Sequence, residues 1–295
     1  MAAPTTFVQT TLKLRNVLFA TDFSPASLAA LPYAGAIAAA FGSNLHLCHI
    51  EPAAPLSGAL ADPHLYEAAG KDAAEHLAEL RSRPEMKGLH PEPALVLAEG
   101  NFKDELLKIV TRSKIDLVVA GTRGRTGFRK MLLGSTTEEI CRAVTSPILT
   151  VGPGIEFGVK KPFQHILFPT NLSELSHKTV PYVAMLAKKF GSRITVLHVL
   201  PQNKADVKPG SSGEKPLAET TRLAMSRDFA ELAAFAPDFL VAFGDTAETV
   251  LRVAREKNAG LVAMGIRNAF RPGVLRERTA YRIIAEAQCP VLTVK

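Results

Sequence analysis

The sequence is short of several residue types, and each shortage excludes a class of protein. Tryptophan is absent and aromatic residues make up 6% of the chain, so an apolar core must be built mainly from Ala, Leu, Val and Ile. The three cysteines, Cys48, Cys141 and Cys289, are odd in number and far apart, which argues against a disulfide framework and favours a reducing compartment. The 20 glycines and 20 prolines follow no collagen-like period.

Long apolar runs and targeting segments are also missing. The longest apolar stretch, Leu28 to Phe41, spans 14 residues and contains Pro32, whereas a membrane helix needs about 20 residues. The N-terminal segment does not combine a basic start with an apolar run, as a secretory signal does. These absences predict a cytoplasmic protein without membrane contact.

The remaining composition is that of a folded protein with an internal repeat. Hydrophobic residues make up 47% and charged residues 21% of the 295 positions, and at about 150 residues per domain this length favours two domains. Four segments recur with an offset that falls from 149 to 143 residues. They are NVLFATDFSPAS (16–27) with HILFPTNLSELS (165–176), FGSNLHLCHI (41–50) with FGSRITVLHV (190–199), IDLVVAGTRG (115–124) with AGLVAMGIRN (259–268), and SPILTVGP (146–153) with CPVLTVK (289–295). We therefore predict a first domain over 1–153, a linker over 154–162 and a second domain over 163–295.

The two copies differ in charge. Residues 1–154 carry 15 basic and 15 acidic side chains, whereas residues 155–295 carry 20 basic and 13 acidic ones, so the whole net charge of +7 lies in the second copy. Five arginines lie between Arg267 and Arg282. Because no aromatic stacking motif accompanies them, we interpret this run as a solvated surface and do not expect a nucleic-acid partner.

Strand and helix patterns alternate along each copy. In the first copy the patterns predict strands at 17–20, 45–50, 94–97, 117–120 and 148–151, and helices at 26–41, 67–83, 102–113 and 136–144. Strands that alternate with helices form right-handed crossovers and a parallel sheet covered on both faces. The predicted fold is α/β, with two tandem doubly wound domains, each a five-stranded parallel sheet with helices on both faces. A ligand is expected at the carboxyl ends of the strands.

A glycine-rich segment follows the fourth predicted strand. Gly121 and Gly124 are followed, after nine residues, by Gly134-Ser135-Thr136-Thr137 at the start of the next helix. Glycines let the backbone approach a ligand or adopt a positive φ, and a helix N-terminus offers N–H groups to phosphate. Four basic residues lie between the two parts: Arg123, Arg125, Arg129 and Lys130. The spacing alone leaves open either a phosphate site or a long connecting turn, and it matches neither a P-loop nor a dinucleotide fingerprint.

The segment resembles the G-x2-G-x9-G-S/T nucleotide motif of the universal stress protein family, and LFATDFS, LCHI and SPILTV resemble strands of that family. The resemblance extends over the whole chain as two tandem domains of the adenine nucleotide alpha hydrolase-like fold. It implies that the first domain binds ATP, with or without Mg²⁺. By position it implies Ala20, Thr21, Asp22 and Ile50 at the adenine and ribose, Ala120, Gly121, Arg123 and Gly124 along the ribose and phosphates, and Gly134, Ser135, Thr136 and Thr137 on the triphosphate.

The second copy departs from this motif. Asp22 is replaced by Asn171, Gly124 by Asn268, and Gly134-Ser135 by Glu277-Arg278, whereas Gly121 is retained as Gly265. A carboxylate at the place of the phosphates would repel them. We therefore expect one nucleotide per chain, bound by the first copy.

Other residues suggest different chemistry. His49 and His198 hold equivalent positions near a strand end, and we interpret both as hydrogen-bonded structural histidines. His46, Cys48 and His49 are spaced like metal ligands, but side chains alternate between faces along a strand and no cysteine cluster is near, so no metal site is predicted. Asp22, Ser24 and His49 suggest a hydrolytic triad, but Ser24 lies in no GxSxG turn and is predicted to cap a helix.

These observations favour a tandem universal stress protein that acts in the stress response as a nucleotide sensor or signalling module, with no catalytic residue assigned. A slow ATP hydrolase or kinase-like activity, with Asp22 as general base, is an alternative, and so is an interaction protein with an empty pocket. The apolar closing strands, 148–151 and 291–294, predict a pseudo-dimer of the two domains within the chain. A homodimer and an unidentified protein partner are further expectations.

Overall fold

The computed structural model describes residues 12–53, 63–122, 134–155, 157, 162–200, 214–266 and 278–295. In this part of the chain the strands are β1 (Asn16–Ala20), β2 (Asn44–Glu51), β3 (Ala94–Glu99), β4 (Leu117–Gly121), β5 (Ile148–Val151), β6 (His165–Thr170), β7 (Arg193–Leu200), β8 (Asp238–Phe243), β9 (Leu261–Gly265) and β10 (Val291–Val294). The α-helices are α1 (Pro25–Leu28), α2 (Leu31–Phe41), α3 (Pro63–Ser82), α4 (Phe102–Arg112), α5 (Ser135–Ala143), α6 (Glu174–Phe190), α7 (Glu214–Asp228), α8 (Thr246–Glu256) and α9 (Arg278–Glu286). The predicted alternation of strands and helices is confirmed.

The predicted helix over 26–41 is divided into α1 and α2. At the break, the Ala30 N–H bonds to the Ser27 carbonyl, only three residues back. Pro32 lies in the first turn of α2, where its missing N–H costs no helical hydrogen bond. The equivalent Pro181 lies inside the continuous helix α6. The prediction of one continuous helix is therefore wrong in the first half, because the chain there restarts the helix at its proline.

The ten strands of the described residues lie in one sheet, in the order β3-β2-β1-β4-β5-β10-β9-β6-β7-β8. Neighbouring strands are parallel within each half, and the halves join where β5 pairs antiparallel with β10. The Thr150 hydroxyl donates to the Val291 carbonyl (3.2 Å), and the Thr293 hydroxyl donates to the Ile148 carbonyl (3.3 Å). These reciprocal bonds reflect a pseudo-twofold relation between the halves. The expected pairing through the closing strands is present, and it merges two five-stranded sheets into one.

Apolar layers cover both faces of the sheet, and each layer contains side chains of both halves. Aromatic pairs cross the boundary, with ring centroids 6.2 Å apart for Phe41 and Phe190 and 5.8 Å apart for Tyr33 and Phe163. The three cysteines are free and buried. Among the described residues, no helix has both the length and the apolar character needed to cross a bilayer.

Candidate functional site

A cavity opens at the carboxyl ends of β1, β2 and β4, where the strand order of the first half reverses. Its volume is about 200 Å³, somewhat below the roughly 300–1,000 Å³ that is typical of small-molecule sites. Ten of the twelve residues selected from the sequence line it: Ala20, Thr21, Asp22, Ile50, Ala120, Gly121, Gly134, Ser135, Thr136 and Thr137. The other two, Arg123 and Gly124, lie outside the described residues, as do the other basic residues of that segment.

The sequence analysis missed four residues that also line this cavity: Ser27, Cys48, Phe102 and Ile140. Two of them share a face with a selected residue. Cys48 lies two positions before Ile50 on a strand, and Ile140 lies one helical turn after Thr137, so the side-chain periodicity could have found both. Phe102 comes from the start of α4, and no local pattern connects it to the motif.

The floor of the cavity is apolar and made of small side chains. Ala20 is the register neighbour of both Ala120 and Cys48. Burial raises the pKa of the Cys48 thiol to about 12, so this thiol is neutral at physiological pH. Because three neighbouring strands place small residues side by side, the floor leaves room for the apolar part of a ligand.

A network of hydrogen bonds shapes the turn after β1. The Thr21 hydroxyl lies 2.9 Å from the Ser27 hydroxyl and accepts the Phe23 N–H at 2.9 Å. The Asp22 carboxylate accepts the Ser24 N–H at 3.0 Å. This bond orients the half-buried carboxylate at the rim of the cavity.

Ser24 and His49 have structural partners. The Ser24 side chain accepts the Ser27 N–H at 3.1 Å and is the N-cap of α1, as predicted. The His49 Nδ1 lies 2.8 Å from the Thr21 carbonyl, and His198 makes the same bond to Thr170 in the second half. These bonds support the structural interpretation of both histidines and give Ser24 a role other than that of a nucleophile.

Gly121 is required for packing rather than for a positive φ. A Cβ at this position would lie 2.3 Å from the carbonyl oxygen of Ala26 and 2.6 Å from the Cα of Ser27. The retained Gly265 shows the same constraint, since its Cβ would lie 2.5 Å from the Leu175 carbonyl oxygen. Both glycines therefore let a strand end approach the backbone of the first helix in its half.

The N-terminus of α5 lines the cavity, and two of its polar groups already have hydrogen-bond partners. The Gly134 N–H donates to the Thr122 carbonyl at 2.6 Å, and the Thr137 hydroxyl donates to the Gly121 carbonyl. Among the described residues, no side chain caps this helix. Ser135 and Thr136 are exposed in its first turn, so their N–H groups and the helix dipole are the features that suit an anion.

Several of these positions carry different side chains in the second half. Met264 and Leu197, both buried, occupy the positions of Ala120 and Cys48. The hydroxyl of Thr137 is lost, because Ala280 stands there. Asn171 keeps the backbone role of Asp22, since its side-chain oxygen accepts the Ser173 N–H at 3.2 Å. Between the two halves, the apolar floor therefore differs more than the turn after the first strand does.

A salt bridge is also specific to the second half. The Arg282 Nη1 lies 3.2 Å from the Asp245 Oδ1, and Asp245 is the N-cap of α8. In the first half, Glu139 and Asn101 hold these positions and have no opposite charges to pair. The expected replacements Asn268 and Glu277 lie outside the described residues.

Comparison with known proteins agrees with this architecture. The universal stress protein family model matches residues 13–152 and 162–295. A universal stress protein of Methanocaldococcus jannaschii is 28% identical over 142 residues, which are 46% of this chain and 81% of that protein. One of Thermus aquaticus is 30% identical over 138 residues, 46% of this chain and 98% of that protein.

The fold is shared along the whole chain with a solved structure. A universal stress protein from Archaeoglobus fulgidus superimposes with a TM-score of 0.75 at 20% identity, and the match covers 96% of this chain and 99% of that chain. Since the family model matches each half separately, the chain belongs to the universal stress protein family, as a tandem two-domain member.

Proposed function

We propose that the first half binds ATP in the cavity at the ends of β1, β2 and β4, and that the protein acts in the stress response as a nucleotide sensor or signalling module. The observation that carries the proposal is convergence. Ten residues, selected by motif from four separate segments of the sequence, line a single cavity at the switch point of a doubly wound sheet.

The adenosine part would occupy the apolar floor. Ala20, Ala120 and Cys48 leave space there, and Ile50 offers an apolar contact for the base. The Asp22 carboxylate can accept hydrogen bonds from ribose hydroxyls. Its bond to the Ser24 N–H holds it in place before the ligand arrives.

The phosphates would extend beyond the floor toward α5. The first-turn N–H groups of Ser135 and Thr136 and the positive end of the helix dipole stabilise negative charge there. Among the described lining residues, Asp22 is the one carboxylate. Mg²⁺ arriving with the nucleotide would therefore be held mainly by phosphate oxygens and water.

A cavity-filling variant tests this assignment. Ala120→Met introduces the residue that the second half carries as Met264, so a methionine at this place is compatible with the fold. Its side chain would fill the floor, and we expect ATP affinity to fall at least about ten-fold, because overpacking and lost apolar contact each cost about 1–3 kcal/mol. The measurement is calorimetric titration of ATP into the full chain, after any retained nucleotide has been removed and identified.

A matched control adds the same side chain elsewhere. Ala78→Met lies on the exposed face of α3 and should leave ATP affinity unchanged. Unfolding curves of both variants separate loss of the site from loss of the fold. Equal ATP affinity in the wild type and in a folded Ala120→Met variant would overturn the proposed site.

The same samples separate a sensor from a slow enzyme. The protein is incubated with ATP and Mg²⁺ for long enough that each site binds and releases ATP many times. ATP that remains unhydrolysed supports a binding module. Steady release of inorganic phosphate by the wild type, absent in Ala120→Met, would make the site that of an ATP hydrolase.

A further inference from the structure

A second cavity lies between the end of β2 and α3. Its volume is about 830 Å³, within the range of small-molecule sites. It shares Asp22 and Ile50 with the first cavity. Its other lining residues differ from those of the first cavity. Side chains alternate along β2, so His49 and Glu51 point to the opposite face of the sheet from Cys48. None of the described residues of the glycine-rich motif lines it.

The charge of the second cavity does not suit a phosphate. Its described lining residues include four carboxylates, those of Asp22, Glu51, Asp72 and Glu79, and one guanidinium, that of Arg83. The chain as a whole carries a net charge of +7, so this acidic lining is a local feature. A cationic ligand would be attracted here, and an anion repelled.

Two hydrogen-bond acceptors face each other at the end of β2. The His49 Nδ1 lies 2.8 Å from the Thr21 carbonyl oxygen, and since a carbonyl only accepts, Nδ1 carries the proton. With Nδ1 as the donor, the Nε2 of an uncharged imidazole is an acceptor. It lies 3.8 Å from the Glu51 Oε1, too far for a direct hydrogen bond. A donor nitrogen to one side of the pair, about 2.8 Å from each atom, could bond to both, and an ammonium group has three N–H donors.

An apolar wall adjoins this pair of acceptors. The Phe23 ring contacts the rings of His49 and His76, whose centroids are 4.4 Å and 5.2 Å away. Leu28 and Ala73 complete the wall. The acidic and apolar parts of the lining together fit a ligand with a charged head and an apolar body.

The second half shows which of these features the fold itself requires. His198 makes the same 2.8 Å contact to the Thr170 carbonyl as His49 makes to Thr21. Leu200 stands at the position of Glu51, however, and Leu172 at the position of Phe23. The histidine bond thus belongs to the framework, whereas Glu51 and Phe23 are particular to the first half.

We propose that the second cavity binds a primary organic amine. The ammonium group donates to both the His49 Nε2 and the Glu51 carboxylate from one side of the pair, and the apolar body packs against Phe23, Leu28 and Ala73. This site adjoins the proposed nucleotide site, since Asp22 and Ile50 line both cavities, but the residues that hold the amine are not those assigned to ATP.

The test uses phenethylamine as the probe and the full chain without nucleotide. Titration followed by amide chemical shifts should give saturable changes at His49, Glu51, Phe23 and His76. Two probes of similar shape serve as comparisons: 3-phenylpropionate, which is anionic, and 2-phenylethanol, which is neutral. Both should bind at least about ten-fold more weakly, because they lack the charge-assisted donors.

Substitutions locate the bound amine. Glu51→Gln removes the charge and should weaken phenethylamine binding about ten-fold or more. Phe23→Leu introduces the residue that the second half accommodates at a similar positive φ, 58° at Leu172 against 62° at Phe23, and should weaken binding several-fold. Glu75→Gln makes the same charge change on the exposed face of α3 and should have no effect.

Three results would overturn the proposal. They are the absence of saturable phenethylamine binding to the wild type, equal binding of 3-phenylpropionate, and unchanged amine affinity in Glu51→Gln. None of them bears on ATP, which is titrated separately with Ala120→Met.

Discussion

The two halves of this protein share a backbone framework and differ in the side chains around their strand ends. The shared hydrogen bonds and close contacts involve Thr21 and Thr170, Asp22 and Asn171, His49 and His198, and Gly121 and Gly265. The differences involve Ala120 and Met264, Cys48 and Leu197, and Glu51 and Leu200. Features that recur hold the fold together, and features that do not recur are where ligand binding can differ.

Comparison of the two halves shows which replacements of motif residues alter the site most. Replacement of Asp22 by Asn171 is a smaller departure than the sequence suggests, because both side chains accept the same N–H. Replacement of Ala120 by Met264 is a larger one, because it changes the volume of the floor. Gly121, selected as part of a nucleotide motif, has a packing role that Gly265 shares.

The largest expected effect tests that shared role. Gly121→Ala and Gly265→Ala each place a Cβ within 2.5 Å of a backbone carbonyl oxygen, which cannot move aside as a flexible side chain can. We expect the free energy of unfolding to fall by about 3 kcal/mol or more in each variant. Urea denaturation measures it.

Gly70→Ala is the control for these glycines. Nothing lies within 4 Å of a Cβ at this position in α3, so stability should be unchanged or slightly raised. A loss in Gly121→Ala alone, with Gly265→Ala as stable as the wild type, would show that the glycine serves the first half specifically.

The next largest effect is expected when Met264 is replaced by alanine, the residue that stands at the equivalent position 120 of the first half. Met264→Ala removes a buried side chain and should cost about 2–3 kcal/mol of stability, as other truncations in apolar cores do. It should not create a nucleotide site, because Leu197 still fills part of the floor. Calorimetry should give one ATP per chain in both wild type and variant, and a stoichiometry of two would show that cavity volume alone decides binding.

A smaller effect compares the first helix caps of the two halves. The Ser24 side chain accepts an N–H bond, whereas among the described residues Ser173, the N-cap of α6, makes no such side-chain bond. Ser24→Ala should lower stability by about 1 kcal/mol, and Ser173→Ala by less. Equal losses in thermal or urea unfolding would contradict this difference.

The smallest expected effect is the pH dependence of stability that comes from His165. Burial lowers the pKa of His165 below its ordinary 6.5, and Asn16 stands at the equivalent place in the first half. The unfolded chain therefore takes up a proton at a higher pH than the folded chain does. Stability should be complete above pH 6.5 and fall as the pH drops below that value toward the lowered pKa.

His165→Asn should flatten this decline. Melting temperatures measured from about pH 7.5 to 5 test it. The His165 ring lies 2.9 Å from both the Lys257 carbonyl and the Thr195 hydroxyl, so the variant should also lose some stability at neutral pH. An identical pH dependence in variant and wild type would assign the decline to other groups, such as His46, whose pKa burial also lowers.

Local sequence determined most of the framework. The apolar runs that became β1, β4 and β5 are buried in the sheet, and the repeat offsets placed their counterparts in the second half. The break between α1 and α2 was not predictable, because Pro32 fits both a helix interior and a helix start. Its equivalent Pro181 shows the other outcome in the same chain.

The sequence by itself determined the repeat, the α/β fold and the segments that meet at the first cavity, because periodicity, turn residues and motif spacing are local properties of the chain. Tertiary structure decided what the individual residues do there. The role of Gly121 became visible only when β4 lay against the backbone at Ala26, and Phe102 joined the cavity only through packing. The second cavity brings together Phe23, Glu51 and α3, segments that no motif connects, because a cavity is set by the space that packed side chains leave between them.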